Sequence, residues 1–207
     1  MFVFLWNIYV NLYFYFFMYK QLLKHLSKDI ELTPEEEQEF LSILEHHTFF
    51  KKSLLIQPGQ KVAKEYYVLK GCLIAYYLDK AGQKHIIQFA IEDWWISDFE
   101  AFFNAYPAQL FVECIENSEV LSLDISVLED LYFRIPKFER FFRLKITKAF
   151  VALRNRILSS LQKDSKTRYL EFCEQYPNLQ GRVANYHIAN YLGITPESLS
   201  RLRKGLH

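Results

Sequence analysis

Residues 185–204 read NYHIANYLGITPESLSRLRK. Counted from Asn185, the fifth position is Ala189 and the ninth is Gly193. Two helices that cross closely need a small residue at the first of these. The turn between them needs a left-handed backbone at the second. Apolar residues fall at the fourth, eighth, tenth, fifteenth and eighteenth positions: Ile188, Leu192, Ile194, Leu199 and Leu202. The spacing predicts a helix-turn-helix. Its second helix carries its own start signals, Thr195 as N-cap and Pro196 at the first helical position. The residues that face outward are then Glu197, Ser198, Ser200, Arg201, Arg203 and Lys204. Arginine reads guanine edges, serine and glutamate read other edges, and lysine and arginine hold phosphates. Thr195 at the head of this helix and those six residues are the candidate DNA-binding set. The chain ends at Gly205-Leu206-His207, so few phosphate contacts are expected beyond the second helix and the module is read as truncated.

The charge distribution points the same way. From Lys145 onward there are eleven Lys and Arg against four Asp and Glu, a net +7. The whole chain carries +1, which leaves −6 for residues 1–144. An acidic body with a basic end module suggests a polyanion partner for that module.

Upstream, two textures alternate. Thr33, Pro34 and Glu35-Glu36-Glu37 mark a helix start, and Phe40, Leu41 and Leu44 continue it at helical spacing. After His47 come short β-rich runs, SLLIQPGQ, EYYVLKG, CLIAYYLD, QKHIIQFA, QLFVECIE and SEVLSLDI, broken by Pro58-Gly59, Gly71 and Gly82. That pattern predicts a sandwich or barrel of short strands. Val127, Leu128 and Leu131 then lead to Pro136. A long helical stretch follows, with Phe142, Ile146, Ala149, Leu153, Ile157 and Ser160 repeating in steps of four and three. The period stays near 3.5, which favours pairing with a second copy over packing on its own β body. Asp164-Ser165-Lys166 breaks this helix, and a short one follows over 167–175.

The first eighteen residues, MFVFLWNIYVNLYFYFFM, lack charge. Three readings stand, in this order. The true start is Met18 and the preceding residues are translated upstream sequence; or they anchor the chain in a membrane; or they are a secretory signal, although no basic start or small-residue cleavage site is present. Cys72, Cys114 and Cys173 are isolated and odd in number, which fits a reducing cytoplasm and suggests neither a disulfide framework nor a zinc or iron–sulfur site. His46-His47 is the only histidine pair and reads as solvated. No nucleophile–base pair or phosphate loop is legible, so no catalytic residue, metal or cofactor is expected and the chain is not read as an enzyme.

A β-roll, then a long seam helix, then a terminal helix-turn-helix resembles the Crp/Fnr family of bacterial transcription regulators. The resemblance runs from about Met18 to the end. YYVLKGCLIAYYLDKAGQKHIIQFA looks like the family's paired strands, and YLGITPESLSRLRK looks like its recognition segment. The resemblance implies an α+β architecture: an N-terminal double-stranded β-helix of cyclic-nucleotide-binding type with flanking helices, a dimerisation helix and a helix-turn-helix. It divides the chain into an extension at 1–17, a sensor roll at 18–135, the dimer helix at 136–163 and the DNA-binding part at 164–207. It implies double-stranded DNA, a second copy and RNA polymerase as partners, with an unknown small-molecule effector at the roll, and gives Glu197, Ser198 and Arg201 the base-reading role.

The departures concern the effector. Cyclic-nucleotide binders carry a Gly-Glu pair and, later, an Arg-Ser or Arg-Thr pair. Here Ser97 and Asp98 stand at the first pair and Ala108 and Gln109 at the second. No cation within 101–112 replaces the arginine, and a buried phosphate without one is costly. The roll is therefore not expected to bind a cyclic nucleotide tightly. Trp94, Trp95, Phe99, Phe102 and Phe103 are read as core or as an aromatic pocket wall. The competing reading is a ligand-binding or interaction module that no longer binds DNA.

Overall fold

The computed structural model describes residues 19–205. The hydrophobic extension at 1–17 lies outside these residues. Among the described residues no helix is long and apolar enough to cross a membrane.

Helix α1 spans 19–26 and α2 spans Pro34–Ser42. The start of α2 is held by a reciprocal cap: the Glu36 amide donates to the Thr33 hydroxyl, and the Thr33 amide donates to the Glu36 carboxylate. Eight strands then form two four-stranded antiparallel sheets. They are β1 (Leu44–Phe49), β2 (Leu54–Ile56), β3 (Lys64–Lys70), β4 (Leu73–Leu78), β5 (Lys84–Ala90), β6 (Trp95–Ile96), β7 (Phe111–Cys114) and β8 (Ser118–Asp124). The first sheet has the order β1-β8-β3-β6 and the second β2-β7-β4-β5. Neighbours distant in sequence pair in both sheets, as in a roll of crossing strands. Helix α3 (Phe99–Asn104) interrupts the strands after β6. Helices α4 (Leu128–Arg134), α5 (Lys137–Gln162), α6 (Ser165–Gln175), α7 (Asn185–Leu192) and α8 (Pro196–Lys204) complete the chain.

Three elements differ from the sequence reading: strand β1, the two-residue strand β6, which falls in none of the β-rich runs, and helix α3. Leu44 to His47 are not helical. Helix α2 ends at Ser42, and Leu44–Phe49 pairs with β8 from Leu44↔Leu123 to Phe49↔Ser118. The open edge of β8 supplies the partner, and pairing across the sheet overrides the local helical spacing. Helix α3 has only six residues, and its aromatic content hides it from periodicity.

Two apolar clusters hold the fold. One fills the roll and takes in Leu22, Phe40, Tyr67, Phe102, Leu131, Phe138, Phe141 and Phe142. The other lies on the outer face of the second sheet. There Cys72, Ile74, Tyr76, Ile86, Phe89 and Ile115 meet Tyr169, Phe172, Tyr176, Ile188, Ala189 and Leu199 of the last three helices and the turns beside them. Strand β4 is thus buried on both faces: Leu73 and Ala75 point into the roll, and Ile74 and Tyr76 point to the terminal helices. Its unbroken apolar run, without alternation, follows from that double burial.

Candidate nucleic-acid interface

The helix-turn-helix forms as the sequence spacing requires. Gly193 ends α7 in the left-handed region, at φ +65° and ψ 37°. Ala189 and Ile188 are fully buried where α7 and α8 cross, and Leu199 from α8 joins them. Thr195 caps α8: the Ser198 amide donates to its hydroxyl at 3.2 Å. The Thr195 hydroxyl donates in turn to Ser198 Oγ at 3.1 Å, and Arg201 Nη2 reaches the same oxygen at 3.3 Å.

The outward face is narrower than the sequence suggests. Glu197, Arg201 and Lys204 are exposed, while Ser198 and Ser200 are half-buried. Arg203 turns inward. Its Nε donates to the Tyr169 hydroxyl at 2.9 Å, its Nη1 to the Asn185 side chain, and its guanidinium lies 5.7 Å from the Tyr169 ring. It ties α8 to α6 and α7, so it is not free to hold a phosphate. The fold places Lys166 beside this face instead. Ser165, Lys166, Ser198, Arg201, Leu202 and Gly205 line one shallow hollow of about 400 Å³.

The same accounting applies to the whole basic segment. Lys145, Lys148 and Lys163 pair with Glu65, Asp29 and Glu171. Arg182 pairs with Glu92 and Glu116. Arg156 donates to the carbonyls of Ile86, Ile87 and Tyr191, and Arg168 to that of Leu192. With Arg203 also engaged, Arg154, Lys166, Arg201 and Lys204 are the cations left for a partner, and the last three belong to α6 and α8. The local charge run is therefore largely structural.

Helix α5 carries an exposed apolar stripe. Ile146, Phe150, Leu153, Ile157 and Leu161 are 47%, 65%, 48%, 52% and 76% exposed. Of the sequence-predicted dimer set, Ile146, Leu153 and Ile157 lie on this stripe, and Ala149 is exposed beside it. Phe142 does not. It is 3% exposed and packs on Trp95, Tyr132 and Phe141, because the first turns of α5 close the roll. Phe150 and Leu161, which the sequence seam passed over in favour of Ala149 and Ser160, supply much of the apolar surface.

At the roll, the four effector positions are taken up by bonds within the roll, and one of these joins two of them, Asp98 and the Gln109 amide. Asp98 is buried and caps α3, accepting from the Ala101 amide. Its other oxygen accepts from the amides of Gln109 at 2.8 Å and Leu110 at 2.9 Å. Ser97 donates to the carbonyl of Lys64 at 3.0 Å. Ala108 is buried and exchanges backbone bonds with Gln60 and Gly59. Gln109 is exposed and reaches Glu100. Trp95 and Phe102 are core, Trp94 and Phe99 are partly buried against it, and Phe103 is 48% exposed. Lys145 of α5 also approaches this region, 5.9 Å from the centre of the Phe99 ring. Its ammonium lies 2.8 Å from the buried carboxylate of Glu65 and 4.2 Å from the centre of the Trp95 ring. Burial pushes the Glu65 carboxyl up and the Lys145 ammonium down from their usual ranges, and each charge opposes the shift of the other.

The architecture and part of the sequence have known counterparts. The regulatory protein HlyX of Actinobacillus pleuropneumoniae is 22% identical over 163 residues, 73% of this chain and 67% of that protein. The anaerobic regulatory protein of Aggregatibacter actinomycetemcomitans is 23% identical over 184 residues, 83% of this chain and 70% of that protein. Among solved structures, FixK2 from Bradyrhizobium japonicum superposes with a TM-score of 0.68 at 19% identity, covering 80% of this chain and 85% of that one. The c-di-GMP-responsive global regulator CLP of Xanthomonas campestris gives 0.67 at 13% identity, covering 84% and 91%. No protein-family model matches the chain. The chain is thus similar in sequence to two regulatory proteins over most of its length, and its roll, long helix and terminal helix-turn-helix share the fold of these solved structures.

Proposed function

We propose that the protein is a homodimeric, cytoplasmic transcription regulator that reads duplex DNA with α8, and that its roll does not bind cyclic nucleotides tightly. The observation that carries this reading is the division among the cations. Most of the basic segment is engaged internally, yet Lys166, Arg201 and Lys204 stay exposed on the recognition side of the helix-turn-helix. Arg201 and Glu197 are the candidate base readers, with Ser198 orienting Arg201. Lys166 and Lys204 are suited to phosphates.

The stripe on α5 supports a parallel pairing with a second copy, since its apolar residues recur in steps of four and three. It continues into a crevice of about 960 Å³, where Leu153 and Ile157 face Tyr77 and Ile87 of the second sheet. A symmetric dimer reads two half-sites about one DNA turn apart, ~34 Å. RNA polymerase is the partner that a promoter-bound regulator of the Crp/Fnr family calls for. Against a cyclic-nucleotide effector stands the spent carboxylate of Asp98 and the lack of any cation within 97–110.

The test is selection from random duplex DNA at two salt concentrations. A two-fold symmetric site should be enriched, with affinity falling steeply as salt rises. Arg201→Ala should weaken that site by about 1–3 kcal/mol and relax one position in each half-site. Failure to enrich any sequence at either salt would refute the reading.

A further inference from the structure

Arg182 follows the turn at Leu179–Gly181, between α6 and α7, and leaves the terminal helices to bond the roll. Its Nη1 donates to Glu92 Oε2 at 2.8 Å. Its Nη2 donates to Glu92 Oε1 at 2.9 Å, to Glu116 Oε2 at 2.7 Å and to the Gly71 carbonyl at 3.0 Å. Its Nε donates to Glu116 Oε1 at 3.2 Å. Glu92 Oε1 also accepts from the Gly71 amide at 2.9 Å.

These partners lie on three loops, β3–β4, β5–β6 and β7–β8, which converge at one end of the roll. Gly71 is held at φ +102°, and a Cβ there would stand 2.4 Å from Ser118 Oγ and 2.7 Å from the Asn117 carbonyl. The loops meet at a distance that only glycine permits. A planar guanidinium that bonds two carboxylates and a carbonyl at once fixes orientation as well as distance, which an ammonium does not do.

A second tie lies on the side of α5. Arg156 stacks on Tyr191 of α7 at 3.9 Å and donates to carbonyls of β5 and α7. Between the two arginines, Phe89 meets Phe172, Tyr176 and Tyr191, and Trp94 packs on Tyr176 at 5.3 Å. The helix-turn-helix is thus docked on its own roll through a continuous apolar contact with a charged clasp at one edge. None of the hydrogen bonds of Arg182 goes to α8, and the docking leaves Arg201 and Lys204 exposed.

We propose that Arg182 is a positioning residue for DNA recognition: its clasp on Glu92 and Glu116 fixes the recognition helix relative to the dimer helix, and so sets the half-site spacing that the dimer accepts. This rests on the regulator reading above. Two linked binding heads gain avidity only where the link lets both engage, and a rigid link allows one spacing.

The experiment takes the operator selected with the full chain and varies its half-site spacing by one and two base pairs either way. The wild type should lose about 100-fold in affinity two base pairs from its optimum, and Arg182→Ala less than about tenfold. Arg182→Lys should fall between them. Affinity for an isolated half-site, and its dependence on Arg201, should not change. A spacing profile in Arg182→Ala identical to wild type overturns the proposal. So does equal weakening at every spacing, which is the result of a merely structural role. The double variant Glu92→Gln, Glu116→Gln opens the clasp from the other side and must reproduce the broadened profile; a wild-type profile there also overturns it. Hydrogen exchange without DNA gives an independent arm. Arg182→Ala should speed exchange in α6 and α7 while the strands of the roll stay protected, and unchanged exchange counts against the clasp. A wild type that binds no DNA sinks the regulator reading and the spacing role together, while the exchange result still separates that failure from failure of the clasp.

Discussion

Residues 97–110 and 195–204 begin alike. Each opens with a polar cap on a helix, Asp98 on α3 and Thr195 on α8. They differ in what is left over. The Asp98 carboxylate bonds three backbone amides, and its segment has neither a cation nor an unused polar side chain facing inward. The Thr195 cap uses one amide, and beyond it Glu197, Arg201 and Lys204 remain exposed. In the first segment polar chemistry is spent on holding the chain together; in the second it stays available to a partner. A motif position acquires a function through the hydrogen-bond capacity that the fold leaves unused.

The contrast can be broken experimentally. The largest effect is expected at Asp98. Asp98→Ala orphans the amides of Gln109 and Leu110 and removes the cap of α3, so stability should fall by about 3–5 kcal/mol. Denaturant unfolding reads the loss. DNA specificity of the protein that remains folded should not move, and a change in specificity would show that the segment is not merely structural.

A somewhat smaller effect comes from acid. His187 of α7 is 5% exposed, and its Nδ1 has no hydrogen-bond partner. Burial lowers its pKa to about 4; Lys84 and Lys51 push the same way and Glu113 opposes them. The folded protein therefore holds His187 neutral while the unfolded chain protonates it near 6.5. Its contribution is complete above that value and is lost progressively as pH falls to about 4. Over that window the loss is about 3 kcal/mol. Unfolding curves of wild type and His187→Leu should diverge between these pH values, and parallel curves would count against the assignment.

The smallest effect is at the turn. Gly193 has open space around a built Cβ, so Gly193→Ala meets only the strain of a left-handed backbone, about 1 kcal/mol. A melting experiment reads it. A much larger loss would mean that the turn also depends on a close approach, as Gly71 does.

Most elements were legible from short-range patterns. Thr33 with Pro34, and Thr195 with Pro196, marked helix starts, and the six β-rich runs each contain a strand. The missed elements are either too short for a period to show, as α3 is, or have a distant cause. Strand β1 exists because β8 offers an edge some 70 residues away: His47 Nε2 lies 2.9 Å from Ser122 Oγ across the pair. At the α5 seam the period was legible, but its exact phase was not. Phe142 fits the repeat and lies in the roll, whereas Phe150 and Leu161 face out.

By itself the sequence determined the helix-turn-helix. Its small residue, its glycine and its apolar positions act on neighbours within twenty residues, and such contacts survive translation into one dimension. Only the tertiary structure decided which cations are free. Arg182 and Arg203 are alike in sequence to Arg201, yet one reaches a carbonyl 111 residues away and the other a tyrosine 34 residues away. Charge is a local property of the chain, but its neutralisation depends on which distant groups the fold brings within hydrogen-bond reach.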